Sequence, residues 1–153
     1  PAVTFAQKKQ IDFQLLEYQH DPLAESFGLE AVEKLGLVAK SVFKTLVAEL
    51  DTGELVVAIV PVTGSLSLKK LAKAAKAKKA KMAAPTDVER TTGYVLGGVS
   101  PLGQKKRLSS FIDISAQSLD NIFVSAGRRG LEIKIPPGQL AKAINAKLCD
   151  IGQ

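Results

Sequence analysis

Apolar and polar positions along the first third of the chain predict one helix, one strand and a second helix. Residues 4–7, Thr-Phe-Ala-Gln, match the capping-box pattern that begins a helix. Residues 11–15 alternate apolar and polar side chains, the period-two pattern of a strand with one buried face. Residues 24–35 have helical apolar spacing and are followed by Gly36, which favours a helix that ends there.

Two β-rich runs at residues 42–50 and 55–60 flank the turn-forming residues 51–54 and predict a β-hairpin. Lys44 shares its side-chain direction with the apolar residues 42, 46, 48 and 50. A buried lysine costs several kcal/mol unless it is paired or faces a pocket. Lys44 therefore either faces a pocket or lies close enough to the strand's start for its ammonium group to reach water.

The rest of the chain, from residue 68 onward, predicts a mixture of short helices and strands. Alanine and lysine, both strong helix formers, fill residues 68–82 and predict a helix there. Residues 91–95 predict a short strand before a glycine-rich loop, and later strands are expected at residues 111–115, 122–125 and 131–135, with a closing helix at 138–148. With no internal repeat or linker, we expect an α+β fold in a single domain over residues 1–153.

Composition narrows the class of protein. The 153 residues are 46% hydrophobic and 24% charged, with one cysteine, so the chain can bury a core without disulfides, and disordered, collagenous and disulfide-rich classes are excluded. No apolar stretch approaches the roughly 20 residues of a membrane helix, and the first ten residues lack the order of a signal peptide. We expect a cytoplasmic protein without membrane contact.

Charge is distributed unequally. Residues 1–67 carry five lysines and nine acids, a net charge of −4, whereas residues 68–153 carry sixteen basic residues and six acids, a net charge of +10. The asymmetry favours a polyanionic partner such as nucleic acid. The lysines of residues 68–82 are interpreted either as a phosphate-contacting surface or as a solvated helix face.

Two glycine-containing segments are candidates for binding. Residues 97–103 hold three glycines and a proline and lead directly into Gln-Lys-Lys-Arg at 104–107. Backbone amides of such a loop can bind an anion or a polarised carbonyl, although an ordinary Gly-Pro turn has the same composition. The turn at residues 125–130 carries Arg128 and Arg129, which either bind phosphates or only decorate the turn.

The scarcity of histidine and cysteine restricts the chemistry. His20 and Cys149 are single in the sequence, so no Cys/His metal cluster can form, and we expect neither a metal nor a cofactor. No serine lies in a nucleophile-elbow motif, and His20 is interpreted as a polar surface residue. Catalysis would depend on lysine, backbone amides, hydroxyls and the substrate's own groups.

Three motifs closely resemble the YbaK/EbsC family, free-standing relatives of the editing domain inserted in bacterial prolyl-tRNA synthetase. They are Val-Phe-Lys-Thr-Leu at 42–46, the segment from Thr92 to Arg107, and Val-Ser-Ala-Gly-Arg-Arg-Gly-Leu-Glu at 124–132. The resemblance spans essentially the whole chain. It implies an α+β fold with a mixed, barrel-like sheet surrounded by helices.

The resemblance also implies site residues. Lys44 matches the family's central lysine, and Glu132 stands where an aspartate is expected in relatives. Substrate-binding positions are implied at Tyr18, Phe27, Thr45, Gly97, Gly98, Ser100, Pro101, Ser125, Gly127 and Glu132. From charge we add Lys73, Lys76, Lys79, Arg128 and Arg129 as expected tRNA contacts.

The implied activity is that of a trans-editing deacylase that removes cysteine mischarged onto tRNA(Pro), with prolyl-tRNA synthetase as an expected partner. Lys44 and backbone amides near Gly97 would stabilise the oxyanion, and the substrate thiol would attack its own carbonyl and release a thiolactone. Water attack is the alternative mechanism. A non-catalytic tRNA-binding or synthetase-docking module is the alternative function, and selectivity among cysteine, serine and alanine stays open.

Overall fold

The computed structural model describes residues 1–22 and 27–153. Residues 24–26 of the second predicted helix therefore lie outside the described residues. The described helices are α1 (Ala2–Lys8), α2 (Phe27–Leu35), α3 (Leu68–Ala74), α4 (Pro85–Thr92) and α5 (Pro137–Ile144), with 3-10 turns at Ala39–Ser41 and Ile114–Ser118. The described strands are β1 (Gln14–Glu17), β2 (Phe43–Leu50), β3 (Leu55–Pro61), β4 (Ala80–Met82), β5 (Ser109–Asp113), β6 (Ile122–Ser125), β7 (Leu131–Ile135) and β8 (Lys147–Cys149).

The described strands form two sheets. A five-stranded sheet has the order β4-β2-β3-β5-β8 and mixes antiparallel pairs with the parallel pairs β3–β5 and β5–β8. A three-stranded antiparallel sheet has the order β1-β7-β6. The sheets meet at a parallel bridge between Val42 and Phe123. The predicted α+β class with a mixed sheet is confirmed, although the strands divide into two sheets rather than closing one barrel.

The β2–β3 hairpin is the centre of the larger sheet, as predicted. Its strands pair antiparallel from Phe43 opposite Pro61 to Glu49 opposite Leu55. β3 is buried on both faces: Val57 and Ile59 belong to one apolar cluster, whereas residues 56, 58 and 60 belong to the other. Because both faces are covered, β3 is continuously apolar rather than alternating.

The predicted helix at residues 68–82 is wrong in its second half. Helix α3 ends at Ala74, Lys76 adopts a left-handed φ of 59°, and β4 pairs with the end of β2. The carboxylate of Asp51 accepts hydrogen bonds from the backbone N–H groups of Lys78 and Lys79. These tertiary contacts override the helical propensity of alanine and lysine.

The strand predicted at residues 91–95 is also wrong, because that chain segment follows a helix. Helix α4 starts with Pro85 at its first turn and ends at Thr92, where Gly93 takes a left-handed φ of 82°. Proline at the start and glycine after the end are a known helix signature.

Smaller errors concern the ends of four elements, one of which is the strand expected at residues 111–115, which lies at Ser109–Asp113. Helix α1 begins at Ala2 rather than Thr4, and the first strand lies at Gln14–Glu17 rather than residues 11–15. The closing helix ends at Ile144, after which Asn145 with φ 54° turns the chain into β8, so Cys149 lies at a strand end. No helix among the described residues is both long and apolar enough to cross a bilayer.

Candidate functional site

A cavity of about 300 Å³ opens where the two sheets meet, and we call it the Lys44 pocket. Its walls come from Tyr18 just after β1, from α2, β2, the glycine-rich loop, β6 and β7, and from the arginine-containing turn between β6 and β7. Polar groups and backbone converge on a partly apolar space, as in sites for small ligands. The predicted site residues in its lining are Tyr18, Lys44, Thr45, Gly97, Ser125, Arg128, Arg129 and Glu132.

Lys44 lies near the start of β2, opposite Val60 on β3. Its side chain is partly buried, and its Nζ donates a hydrogen bond of 3.0 Å to the carbonyl oxygen of Gly64. Lys44 takes part in none of the ion pairs found among the described residues. An ammonium group carries three donors, so the pocket wall keeps a positive charge able to bind a developing oxyanion.

Glu132 faces the same pocket from β7, where it pairs with Leu16 and Ser125 on the two neighbouring strands. It is only 7% exposed, and burial raises the pKa of its carboxyl to about 8. A carboxyl with this pKa is mostly protonated at pH 7 and becomes a base near pH 8. Sequence reasoning matched this position to the family but recognised no base, because the burial depends on the three-stranded sheet.

Tyr18 and Thr45 add hydroxyl groups to the pocket. Burial, followed by the nearby carboxyl of Glu132, raises the pKa of Tyr18, which therefore stays protonated at neutral pH. The Oγ1 of Thr45 is buried and has no hydrogen-bond partner within the described part of the chain. An unpaired buried hydroxyl costs about 1–3 kcal/mol, a cost that a polar ligand in the pocket would remove.

The glycine-rich loop lies directly on the arginine-containing turn. A Cβ at Gly98 would come within 3.0 Å of the Cα of Arg128, so glycine allows this close approach. The Nη2 of Arg129 donates a hydrogen bond of 3.0 Å to the carbonyl of Leu96, and the guanidinium of Arg128 forms an ion pair with Glu17 at 3.3 Å. Both guanidinium groups are thereby held at the mouth of the pocket.

Several predicted residues are not brought into the pocket lining. Ser100 is fully buried and its Oγ accepts the N–H of Leu102, which makes it part of the loop's internal structure. Pro101 lines a different cavity, and Gly127 packs against the ring of Tyr94. The side chain of Phe27 lies outside the described residues. Lys73, Lys76 and Lys79 are exposed and lie outside this lining.

A second buried carboxylate, Glu30, lies on α2, and we call its surroundings the Glu30 cluster. Its Oε1 lies 2.7 Å from the Nδ1 of His20, and its Oε2 accepts the N–H of Asp21 at 2.7 Å and the Nζ of Lys34 at 2.9 Å. His20, expected as a polar surface residue, is partly buried, with its side chain 18% exposed. Burial alone would raise the pKa of Glu30, but these hydrogen bonds lower it to about 2.

Comparisons with known proteins identify a family and several relatives of this chain. Residues 22–143 match the family described as "Aminoacyl-tRNA editing domain". The chain is 39% identical, over 88% of its length and 83% of the relative's, to EbsC of Enterococcus faecalis, named as a candidate Cys-tRNA(Pro)/Cys-tRNA(Cys) deacylase.

Solved structures share the fold at lower identity. One is a candidate trans-editing enzyme for prolyl-tRNA synthetase, with a TM-score of 0.83, 20% identity, and coverage of 98% of this chain and 93% of that one. Another is the hypothetical protein APE2540, with a TM-score of 0.87, 20% identity, and coverage of 99% and 98%. At 20% identity, these two similarities show that the fold is shared.

Proposed function

The chain belongs to the aminoacyl-tRNA editing domain family, and we propose that it removes cysteine mischarged onto tRNA(Pro), acting in trans as an aminoacyl-tRNA deacylase. The name of the 39% identical relative supports this substrate. The observation that carries the proposal is the Lys44 pocket, which holds a cationic Lys44 and a buried, mostly uncharged Glu132.

Oxyanion stabilisation is assigned to Lys44 and one backbone amide. Attack on an ester carbonyl places negative charge on its oxygen, and donors already in position lower the barrier. Among the backbone amides near Gly97, that of Gly98 already donates a hydrogen bond of 3.0 Å to the carbonyl of Val95. The N–H of Gly97, together with the ammonium of Lys44, is therefore the donor set that we propose.

The nucleophile is the thiol of the substrate's own cysteine. Glu132 has a pKa of about 8, close to the roughly 8.5 of a free thiol, so a proton passes readily between them. In the proposed reaction the ionised fraction of Glu132 accepts the thiol proton, sulfur bonds to the carbonyl carbon, and the C–O ester bond breaks. The proton then moves to the leaving ribose oxygen, which releases intact tRNA and cysteine thiolactone.

Binding of the tRNA is assigned to basic side chains around the pocket and beyond it. Arg128 and Arg129 at the pocket mouth suit phosphates near the aminoacylated end, and Lys73, Lys76 and Lys79 would contact more distant phosphates. Prolyl-tRNA synthetase is the proposed protein partner, because it produces the mischarged substrate. The cytoplasm, where tRNAs are charged, is the proposed location.

The test is incubation of the protein with tRNA(Pro) charged with labelled cysteine, serine, alanine or proline. The rate at which the labelled amino acid is released is measured. We expect fast release of cysteine and much slower release of serine, because a hydroxyl is a weaker nucleophile than a partly ionised thiol. Equal rates for the cysteine and serine esters would favour water attack. Tight tRNA binding without release of any amino acid would support the non-catalytic alternative.

A further inference from the structure

Cationic side chains collect at a second place, where the segment after the glycine-rich loop runs beside the end of α4. The N–H groups of Lys105 and Lys106 donate hydrogen bonds of 2.8 and 3.0 Å to the carbonyls of Thr92 and Thr91. The backbone of this segment is therefore fixed. Its side chains are exposed next to Arg90, which is exposed as well.

Two adjoining depressions make up what we call the basic groove. The first is lined by Arg90, Lys105, Lys106 and Arg107, and faces the β2–β3 turn. The second shares Arg107 and adds Lys76 and Lys147. In both, Glu54 is the one carboxylate among the described lining residues, so the groove is strongly positive.

Most of this charge is uncompensated by the protein. Lys105, Lys106 and Arg107 belong to none of the ion pairs found within the described ranges, and Arg90 alone is paired, with Asp87 at 2.6 Å. Neighbouring like charges repel and disfavour the compact state, whereas a bound polyanion relieves that repulsion.

The groove lies at the opposite end of β3 from the Lys44 pocket. Val56 of β3 pairs with Ser109, in the wall of the groove, whereas Val60 pairs with Lys44. Four residues of strand separate the two positions by about 13 Å. The groove is therefore a distinct surface and lines no part of the Lys44 pocket.

The chemistry of the groove fits a phosphodiester backbone. Arginine and lysine bind phosphate oxygens, and arginine can do so through two parallel hydrogen bonds. Among the described residues, the lining has no exposed aromatic side chain on which an unpaired base could stack, and no exposed large apolar side chain that could enter a lipid surface. Backbone phosphates, rather than bases or lipids, match these groups.

We propose that the basic groove binds the phosphate backbone of RNA, at a part of the tRNA removed from its aminoacylated end. The choice of tRNA as the RNA depends on the proposed function. Phosphate contacts position an RNA without reading its sequence, so the groove would add affinity and leave the choice of amino acid to the Lys44 pocket.

The experiment compares two triple variants with the wild type. Fluorescence anisotropy measures their binding of uncharged tRNA(Pro) at several salt concentrations. The groove variant is Lys105→Glu, Lys106→Glu and Arg107→Glu. The matched control, Lys8→Glu, Lys69→Glu and Lys142→Glu, makes the same change in net charge at residues outside the groove.

We expect the groove variant to bind at least about tenfold more weakly, and its log–log salt slope to fall by roughly 0.7 to 0.9 for each phosphate that it no longer neutralises. The control should be weakened far less. A milder variant with glutamine at the same three positions should show a smaller effect in the same direction, and its thermal unfolding checks that the fold is intact. Equal weakening of the groove and control variants, or unchanged binding by the groove variant, would overturn the proposal.

Two further measurements separate this proposal from the proposed function. Uncharged tRNA reports on binding without any reaction, so a wild type that binds through the groove but releases no amino acid would contradict only the deacylase. Normal release of cysteine together with unchanged tRNA binding in the groove variant would contradict only the groove. Groove-dependent binding to phosphatidylserine vesicles, without groove-dependent binding to tRNA, would also overturn it.

Discussion

Two glutamates of this chain expose the same small fraction of their surface to solvent yet differ in ionisation. Glu30 is 6% exposed and Glu132 is 7% exposed. The pKa of Glu30 is about 2, because donors from Asp21, His20 and Lys34 outweigh its burial, whereas that of Glu132 is raised to about 8 by burial alone. A small exposed fraction therefore does not decide the ionisation of a carboxyl; its depth in the protein and the donors around it do.

This difference in ionisation distinguishes a cluster that stabilises the fold from a pocket that can take part in a reaction. The Glu30 cluster satisfies its carboxylate from three directions and joins the end of β1 to α2. The Lys44 pocket leaves both Glu132 and the hydroxyl of Thr45 without such partners among the described residues. Unsatisfied buried polar groups persist at sites where a ligand supplies the missing contacts.

The comparison predicts a large loss of stability when Glu30 is removed. Glu30→Ala removes the buried carboxylate that accepts from His20, Lys34 and the Asp21 amide, which should lower the free energy of unfolding by about 3 kcal/mol. Guanidinium denaturation at pH 7 measures it. The exposed Glu33→Ala on the same helix is the control and should change stability by less than about 0.5 kcal/mol.

The sign of the pH dependence follows from the lowered pKa of Glu30. Its stabilising contribution is complete above the ordinary value of 4.5 and is lost as the pH falls toward about 2. The wild type should therefore lose stability over this range more steeply than Glu30→Ala. Parallel stability curves for the two proteins would contradict a structural role for the cluster.

Substitution of a lysine should affect mainly activity in the Lys44 pocket and mainly stability in the Glu30 cluster. Lys44→Ala should lower the deacylation rate by about 100-fold, equivalent to about 2.7 kcal/mol of transition-state stabilisation, while tRNA affinity changes little. Lys44→Arg should fail as well, since a guanidinium does not replace a compact ammonium. Lys34→Ala should instead lower stability and keep most of the activity. Single-turnover rates and denaturation curves measure both.

Removal of the carboxyl of Glu132 should have a smaller effect on rate and an unusual effect on stability. Glu132→Gln should slow release of cysteine by about tenfold at pH 7.5 and flatten the rise in rate near pH 8. The raised pKa means that the contribution of wild-type Glu132 to stability is complete below pH 4.5 and is lost as the pH rises through about 8.

Glu132→Gln should therefore be more stable than the wild type at pH 9. A glutamate whose carboxylate is held by hydrogen-bond donors, as Glu30 is, would not give this outcome. Thermal unfolding between pH 4 and pH 9 measures it. A variant that is less stable than the wild type at pH 9 would show that the carboxylate makes favourable contacts, and would remove Glu132 as the proton acceptor.

Sequence reasoning succeeded where local pattern and tertiary structure agree. The hairpin was predicted within one residue at each end, because its apolar runs and its turn specify the same pairing. It failed at residues 75–82, where Asp51 and β2 draw an alanine- and lysine-rich segment into a strand. Helix α4 was missed although Pro85 and Gly93 mark its two ends.

The polar residues of the candidate site were predictable from the sequence, but their ionisation and their hydrogen-bond partners were not. The phase of Lys44 on its strand already raised the question of a pocket, and the motifs of the family supplied the other positions. The ionisation of Glu132 and the partners of His20 were not predictable, because each depends on contacts between segments that are separated in the sequence.

The composite origin of the Lys44 pocket has a consequence for the growing chain. Tyr18, Lys44 and Glu132 come from three distant segments, and the last of them belongs to β7, which completes the smaller sheet. Contacts between such distant segments form late in folding, and translation delivers them in order from the N-terminus. A partly synthesised chain therefore exposes no working site, and ester cleavage begins only once β7 has left the ribosome and docked.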